Sequence, residues 1–262
     1  MSRIDATFKM IRHEKRAALM PYVAGGFPSL AATESVLAAL PTAGADIVEV
    51  GIPYSDPIAD GPVIAGAMYE ALQAGVTVDA VCGVVQRVRA HTELPMVAMV
   101  SHSIVHRRGG TSFIEQLADT GFDGVIIPDA DLGAIDTMLP TIDRLDLACA
   151  LLIAPTTTPD RMRALTDRCR GFVYLLARTG LTGARSELPD LTNAVAAVRS
   201  CTNLPIAAGF GISTAQQVAQ ATASCDAAIV GSALVDHMRA ADDPVAAAVT
   251  MVESLATGLA KA

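Results

Sequence analysis

Short apolar runs alternate along this chain with longer segments in which apolar residues recur at helical spacing. The runs predict buried strands and the segments between them predict amphipathic helices. The unit repeats roughly every 25 to 30 residues, which is typical of successive βα units around a parallel sheet. The predicted strands are 19–23, 47–51, 96–100, 124–127, 148–153, 172–176, 205–208 and 227–230, and the predicted helices are 5–13, 30–43, 62–74, 78–89, 111–119, 133–145, 159–169, 191–200, 214–223 and 233–255.

Eight predicted strands in 262 residues fit one (β/α)8 TIM barrel in both strand number and size. An open doubly wound sheet shows the same alternation, so periodicity does not separate the two folds. A dinucleotide-binding sheet carries G-x-G-x-x-G after its first strand, but Gly25 and Gly26 lack the following spaced glycine. Glycines gather after the late strands instead. We therefore expect a single barrel domain over residues 1–262, with an extra N-terminal helix.

Composition narrows the class of protein. Hydrophobic residues make up 52% of the chain, yet no apolar run reaches the roughly 18 residues that span a membrane, and no secretory signal is recognised. A formal net charge of −8 argues against nucleic acid as the main ligand. Five scattered cysteines have no metal-ligand or redox spacing and indicate reduced thiols in a cytoplasmic protein.

Lysine usage bears on the chemistry. The lysines are Lys9, Lys15 and Lys261, so none lies between residues 16 and 260, where a barrel core would be. A Schiff-base aldolase needs a lysine amine inside the barrel. The sequence therefore disfavours that mechanism.

Residues 47–62 contain the most informative anomaly. Glu49 stands between valines in a predicted buried strand, and an ionised carboxylate there must be paired, hydrogen-bonded or protonated. The strand leads into a loop rich in proline and aspartate that includes Asp60. A solvated glutamate at a strand edge is one interpretation. The other places Glu49 at the carboxyl end of a barrel strand, with Asp60 folded over it as a paired acid and base.

Three glycine-rich loops predict an anion site. They follow the last three predicted strands and comprise residues 180–183, 209–213 and 231–232. In barrels, the loops after strands 7 and 8 and a helix N-terminus commonly bind phosphate. Turns between strands and helices also use glycine for steric reasons, so the prediction depends on all three loops together.

These motifs resemble the tryptophan synthase α subunit family. The resemblance rests on residues 49–62, 174–183, 209–213 and 231–232, and it extends from the N-terminal helix to the last one. It implies retro-aldol cleavage of indole-3-glycerol phosphate to indole and glyceraldehyde 3-phosphate, in tryptophan biosynthesis, without a metal or organic cofactor. It also implies a partner β subunit, in an α2β2 complex, that carries pyridoxal phosphate and receives the indole.

The resemblance assigns roles by position. Glu49 is similar to the family's acid/base, and Asp60 to the carboxylate that holds the indole N–H. Thr182 is similar to a lid threonine that contacts the catalytic aspartate. The remaining substrate-binding candidates are Tyr22, Asp129, Tyr174, Gly183, Phe210, Gly211, Gly231 and Ser232, and the candidate β-subunit contacts are Pro53 and Asp56. Tyr22 stands where the family usually has phenylalanine, and a packing role for Tyr22 and Asp129 stays open.

The loop after the third predicted strand departs from the family pattern. Ser101, His102 and Ser103 occupy a tract that usually resembles Met-Tyr-x-Asn. His102 and His106 are four residues apart, but no third metal ligand stands nearby, so we expect loop residues rather than a metal site. The departure leaves open an indole-3-glycerol phosphate lyase that works without a partner.

Two further classes of function compete with this one. A noncatalytic barrel that binds a phosphorylated ligand, or acts as a regulatory partner, has no need for two carboxylates in an apolar mouth. Another phosphosugar barrel enzyme is disfavoured because the interior lacks a lysine for a synthase and an early strand-end cysteine for an isomerase.

Overall fold

The computed structural model describes residues 1–57, 60–177, 189–209 and 211–259. Within these residues, nine parallel strand segments form one sheet. The segments are β1 (Ala18–Ala24), β2 (Val48–Gly51), β3 (Met96–Met99), β4 (Gly124–Ile126), β5 (Ala148–Cys149), β6 (Leu152–Ile153), β7 (Val173–Leu176), β8 (Ile206–Gly209) and β9 (Ala227–Val230). Their order in the sheet is β5-β4-β3-β2-β1-β9-β8-β7-β6.

The two end segments, β5 and β6, belong to one barrel strand. Only Ala150 and Leu151 separate them. The Ala150 amide donates to the Val125 carbonyl of β4 over 3.2 Å, and the Tyr174 amide of β7 donates to the Leu151 carbonyl over 3.2 Å. The stretch 148–153 therefore pairs with β4 on one side and β7 on the other, which closes the sheet. The predicted eight-stranded barrel is confirmed.

Helices alternate with the strands as the hydrophobic pattern predicts. They are α1 (Arg3–His13), α2 (Leu30–Ala39), α3 (Pro62–Gln73), α4 (Val78–Arg89), α5 (His102–Arg107), α6 (Thr111–Thr120), α7 (Leu132–Arg144), α8 (Pro159–Thr166), α9 (Thr192–Arg199), α10 (Ala215–Thr222), α11 (Ser232–Ala240) and α12 (Pro244–Ala256), followed by a 3-10 turn (Thr257–Leu259). Side chains at Ser29, Thr77, Asp131, Thr158 and Thr214 accept hydrogen bonds from first-turn amides and so fix where their helices begin.

The prediction of one helix over 233–255 is wrong. The structure has two helices there, because α11 ends at Ala240 and α12 begins at Pro244. Asp243 caps α12, and its side chain accepts from the amides of Val245 and Ala246 at 3.0 Å. Proline is favoured in the first turn of a helix and disfavoured inside one, so the Asp-Pro pair starts a new helix.

Helix α1 closes the N-terminal end of the barrel. Ile4, Phe8 and Ile11 are buried on one face of α1, in a cluster that includes Ala18 at the start of β1 and Phe172 just before β7. The rings of Phe8 and Phe172 lie 6.1 Å apart. With that end filled by apolar side chains, the opposite end, where the strands finish, is the one that can admit a ligand.

Candidate functional site

Glu49 lies inside the barrel on β2. Its neighbours in strand register are Tyr22 on β1 and Val97 on β3. The residue is 1% exposed, and within the described part of the chain neither carboxyl oxygen has a hydrogen-bond partner. Burial raises the pKa of Glu49 to about 8, because the ionised form loses its hydration. A carboxyl group with this pKa can both give and accept a proton near neutrality.

Tyr22 and Tyr174 are two more buried groups at this level of the barrel. A Cβ built on Gly51 would lie 2.0 Å from the Tyr22 hydroxyl, and one built on Gly209 would lie 2.3 Å from the Tyr174 hydroxyl. Both phenols therefore lie directly over strand-end glycines. Burial raises the pKa of each phenol well above its usual value, and the charges of Asp60 and Glu49 raise it further. The two hydroxyls stay protonated and available as donors.

Asp60 lies in the loop that leads from β2 to α3. Its amide donates to the Pro57 carbonyl over 3.1 Å, and its carboxyl group is partly buried. Burial raises the pKa of Asp60 to about 6, although a hydrogen bond from the Tyr54 hydroxyl, 3.3 Å from Oδ2, acts in the opposite direction. The charges of Asp60 and Glu49 both raise the pKa of Tyr22 and of Tyr174, so both carboxyl groups act on the same pair of phenols.

Asp129 lies at the rim, and its side chain is exposed. Its Oδ2 accepts from the Ser101 hydroxyl over 2.9 Å, and its Oδ1 accepts from the His102 amide over 2.7 Å. Ser101 also caps α5 and lies 2.8 Å from the Ser103 hydroxyl. Asp129 thus fixes the start of α5 and also raises the pKa of Tyr54.

The expectation that His102 and His106 are loop residues is wrong. Both lie on α5, one turn apart, with ring centroids separated by 6.2 Å. The capping bonds from Ser101 and Asp129 supply the partners that begin this short helix. No group of three or more histidine, cysteine, aspartate or glutamate side chains in the described residues is arranged to hold a metal ion.

The candidate phosphate end is partly within the described residues. Ser232 is buried at the first position of α11, and Gly231 before it provides no side-chain cap. A Cβ on Gly231 would lie 3.5 Å from the Cβ of Tyr22. Gly211 has a φ of +87°, a conformation that suits glycine. Thr182, Gly183 and Phe210 lie outside the described residues.

The two candidate partner contacts differ in exposure. Pro53 is buried in the isolated chain, whereas Asp56 is exposed and its Oδ2 accepts from the Ser55 hydroxyl over 2.8 Å. Asp56 is therefore the one that presents surface to another molecule.

Two residues with contacts in this site were missed by the sequence reasoning. Tyr54 and Ser101 join the site through side-chain hydrogen bonds to Asp60 and Asp129. Neither position belongs to a periodic pattern. Tyr54 stands inside the quoted motif at residues 49–62, so the motif was a signal for it, whereas the partner of Ser101 lies 28 residues further along the chain.

A closed parallel barrel with buried titratable groups inside its C-terminal mouth defines the class of (β/α)8 barrel enzymes. The sequence model for "Tryptophan synthase alpha chain" matches residues 8–262. The chain belongs to the tryptophan synthase alpha chain family.

Individual relatives agree with this family over nearly the whole chain. The tryptophan synthase alpha chain of Thermosynechococcus vestitus is 38% identical over 259 residues, which cover 98% of this chain and 97% of the relative. The tryptophan synthase alpha chain of Geobacter sulfurreducens is 40% identical, and the match covers 90% of this chain and 89% of the relative. A structure of Mycobacterium tuberculosis tryptophan synthase superposes with a TM-score of 0.91 at 34% identity, with 98% of each chain covered. A structure of tryptophan synthase subunit alpha from Legionella pneumophila superposes with a TM-score of 0.91 at 31% identity. The match covers 99% of this chain and 98% of the Legionella chain.

The described residues include no helix that is both long enough and apolar enough to cross a lipid bilayer.

Proposed function

We propose that this chain is a tryptophan synthase α subunit that cleaves indole-3-glycerol phosphate to indole and glyceraldehyde 3-phosphate, and that residues 1–262 work as one domain. The observation that carries the proposal is the Glu49 carboxyl group. It is buried without a partner among the described residues, and its pKa is raised to about 8. A buried polar group left unsatisfied costs stability, and such groups are found where a substrate provides the missing partner.

The reaction is a retro-aldol cleavage and depends on proton transfers. The indole ring gains a proton at C3, the neighbouring glycerol hydroxyl loses one, the carbon–carbon bond breaks, and its electrons return to the ring as the aldehyde forms. Glu49 serves as the acid and base for these steps, since its protonated and ionised forms are both populated near neutrality.

Asp60 stabilises the charge on the ring. With its pKa raised to about 6, this carboxyl group is mostly ionised at neutral pH. An ionised carboxylate that accepts the indole N–H stabilises the positive charge that develops when C3 is protonated. The two carboxyl groups therefore have different roles because burial affects one of them more than the other.

The phosphate binds at the other side of the mouth, at the N-terminus of α11. Helix N-termini attract anions through free amide groups and the helix dipole, and α11 has no side-chain cap to compete. Ser232 adds a hydroxyl donor and Gly231 and Gly211 allow close approach. Tyr22 and Tyr174 line the space between, and Thr182, Gly183 and Phe210 complete the site by resemblance.

The proposal includes a partner and no cofactor in this chain. A β subunit with pyridoxal phosphate receives the indole, and the exposed Asp56 is the proposed contact, next to Pro53. The similarity to Mycobacterium tuberculosis tryptophan synthase supports an α2β2 assembly. A cytoplasmic location is proposed as well, because the five cysteines are free thiols.

The test is release of indole from indole-3-glycerol phosphate by the purified chain, with and without an added β subunit. Glu49→Gln and Asp60→Asn should each reduce release by at least roughly tenfold with the fold retained. Glu253→Gln, which changes an exposed carboxyl on α12, is the matched control and should behave as wild type. Turnover at the wild-type rate in either site variant would reject the proposed roles. Full activity without the β subunit, unaltered when it is added, would favour the lyase that works alone.

A further inference from the structure

We propose that Tyr54 is a positioning residue for Asp60: its hydroxyl donates to Asp60 Oδ2 and orients the carboxylate towards the indole N–H. This inference rests on the proposed function for its role in turnover. The contact itself is a property of the free protein and can be tested without substrate.

The geometry makes Tyr54 a preorganised donor. Strand pairing continues one residue past β2, because the Ile52 amide donates to the Met99 carbonyl over 2.9 Å, so Tyr54 follows a fixed backbone. Its ring is half-buried and packs against the main hydrophobic cluster. The hydroxyl lies 3.3 Å from Asp60 Oδ2 across six positions of sequence. A donor held by packing orients its acceptor at little entropic cost.

Ser55 and Asp56, the next two described residues of the loop, bond to each other instead. The Ser55 hydroxyl donates to Asp56 over 2.8 Å, and both side chains are exposed. Tyr54 therefore connects the hydrophobic core, against which its ring packs, to the Asp60 carboxylate.

The charges around Asp60 explain why a donor matters. Among the described residues, the phenols on which the charge of Asp60 acts are Tyr54 in its own loop, Tyr22 on β1 and Tyr174 on β7. The charge of Glu49 acts on Tyr22 and Tyr174, and that of Asp129 acts on Tyr54. Burial raises the pKa of Asp60, whereas the hydrogen bond from Tyr54 lowers it. Burial and the charges of Asp60 and Asp129 also raise the pKa of Tyr54, so the phenol remains a donor at working pH.

Tyr54→Phe removes the hydroxyl and keeps the ring. Tyr69→Phe is its matched control, because Tyr69 is an exposed residue on α3. The first measurement is a ¹³C NMR titration of substrate-free protein labelled at aspartate carboxyl carbons, with the Asp60 signal assigned by its loss in Asp60→Asn. The hydrogen bond is long and partly exposed, so we expect its effect on the pKa of Asp60 to be moderate. The Asp60 midpoint should rise by about half to one pH unit in Tyr54→Phe and stay in place in Tyr69→Phe.

The second measurement is kcat/KM for indole release at pH 6 and pH 8. The higher midpoint leaves less ionised Asp60 at pH 6, so Tyr54→Phe should lose roughly two- to fivefold more activity at pH 6 than at pH 8. A residue that serves only the fold would lower both values equally. An Asp60 midpoint that does not move, or that falls, overturns the proposal. A raised midpoint in a chain that releases no indole supports the Tyr54–Asp60 contact and rejects the proposed reaction, so the two failures are distinguishable.

Discussion

Tyr22 and Glu49 face each other in register on neighbouring parallel strands, and both end in oxygen atoms that have no hydrogen-bond partner among the described residues. Tyr22 is 2% exposed and Glu49 is 1% exposed, so both side chains are shielded from bulk solvent. Each unsatisfied group lowers the stability of the free protein. The site is therefore arranged for a polar ligand at the expense of stability.

The first prediction concerns Glu49→Gln and pH. The folded pKa of Glu49 is raised to about 8, whereas an unfolded glutamate titrates near 4.3, so the folded state holds an extra proton between these values. Wild-type stability consequently falls as pH rises through this window. Glutamine does not titrate, and the variant should gain on the order of 3 kcal/mol relative to wild type between pH 5 and pH 7.5. Urea unfolding at the two pH values measures this difference.

Glu253→Gln is the control for that experiment, since its carboxyl group is exposed on α12, and its stability should follow wild type at both pH values. An equal gain for Glu49→Gln at pH 5 and pH 7.5 would show that burial does not set the protonation of Glu49.

The second prediction compares the removal of a tyrosine hydroxyl at two different positions. Tyr22→Phe deletes a buried hydroxyl that lacks a partner, whereas Tyr54→Phe deletes one bonded to Asp60. The first should stabilise the free protein by up to about 1 kcal/mol, and the second should destabilise it by about 0.5 to 1 kcal/mol. Urea unfolding of both variants at one pH gives the sign directly. A loss of about 2 kcal/mol or more in Tyr22→Phe would mean that its hydroxyl is satisfied in the free protein.

The third prediction concerns the glycine beneath Tyr22. A Cβ at Gly51 would lie 2.0 Å from the Tyr22 hydroxyl and 2.5 Å from its Cζ, so Gly51→Ala must displace the ring within a packed strand layer. Overpacking of this kind costs about 1 to 3 kcal/mol. The control is Gly83→Ala on α4, where the added Cβ would meet Arg87 at an ordinary 3.5 Å, and where alanine should stabilise the helix by about 0.5 to 1 kcal/mol. Thermal unfolding of the pair should show opposite shifts, and a neutral Gly51→Ala would refute the close contact.

The barrel and the buried carboxyl group were predictable from sequence because both depend on local patterns. Strand runs alternate with helical segments, and Glu49 interrupts an apolar strand, so its burial could be inferred before its surroundings were known. The break between α11 and α12 was predictable too, since Asp243 and Pro244 form a helix start signal.

Other parts of the site depend on contacts between distant segments. Helix α5 begins at His102 because Asp129, which follows β4, accepts from the His102 amide and from the hydroxyl of the capping residue Ser101. The Tyr54 contact requires the loop to fold back over the mouth. Neither relationship leaves a periodic pattern, so tertiary structure was needed to find them.

The fourth prediction concerns the N-terminal face of the barrel, away from the site. Asp123 lies just before β4, and its Oδ2 accepts from the Met96 amide at 2.9 Å and from Arg89 at 2.5 Å, while Oδ1 accepts from Arg3 at 3.0 Å. The carboxylate is 5% exposed and Arg89 is 13% exposed. Asp123→Ala therefore removes the carboxylate that pairs with this buried cation and that accepts from a strand amide, although Arg89 still donates to backbone carbonyls. The loss in the free energy of unfolding should be about 3 kcal/mol or more, measured by urea unfolding.

Asp160→Ala is the control. It breaks an exposed pair with Arg163 and should cost under about 0.5 kcal/mol. Indole release by folded Asp123→Ala should match wild type, because Asp123 lies at the N-terminal end of the barrel and the proposed chemistry takes place at the other end. A small loss of stability in Asp123→Ala, similar to that of Asp160→Ala, would contradict the role assigned to this buried ion pair.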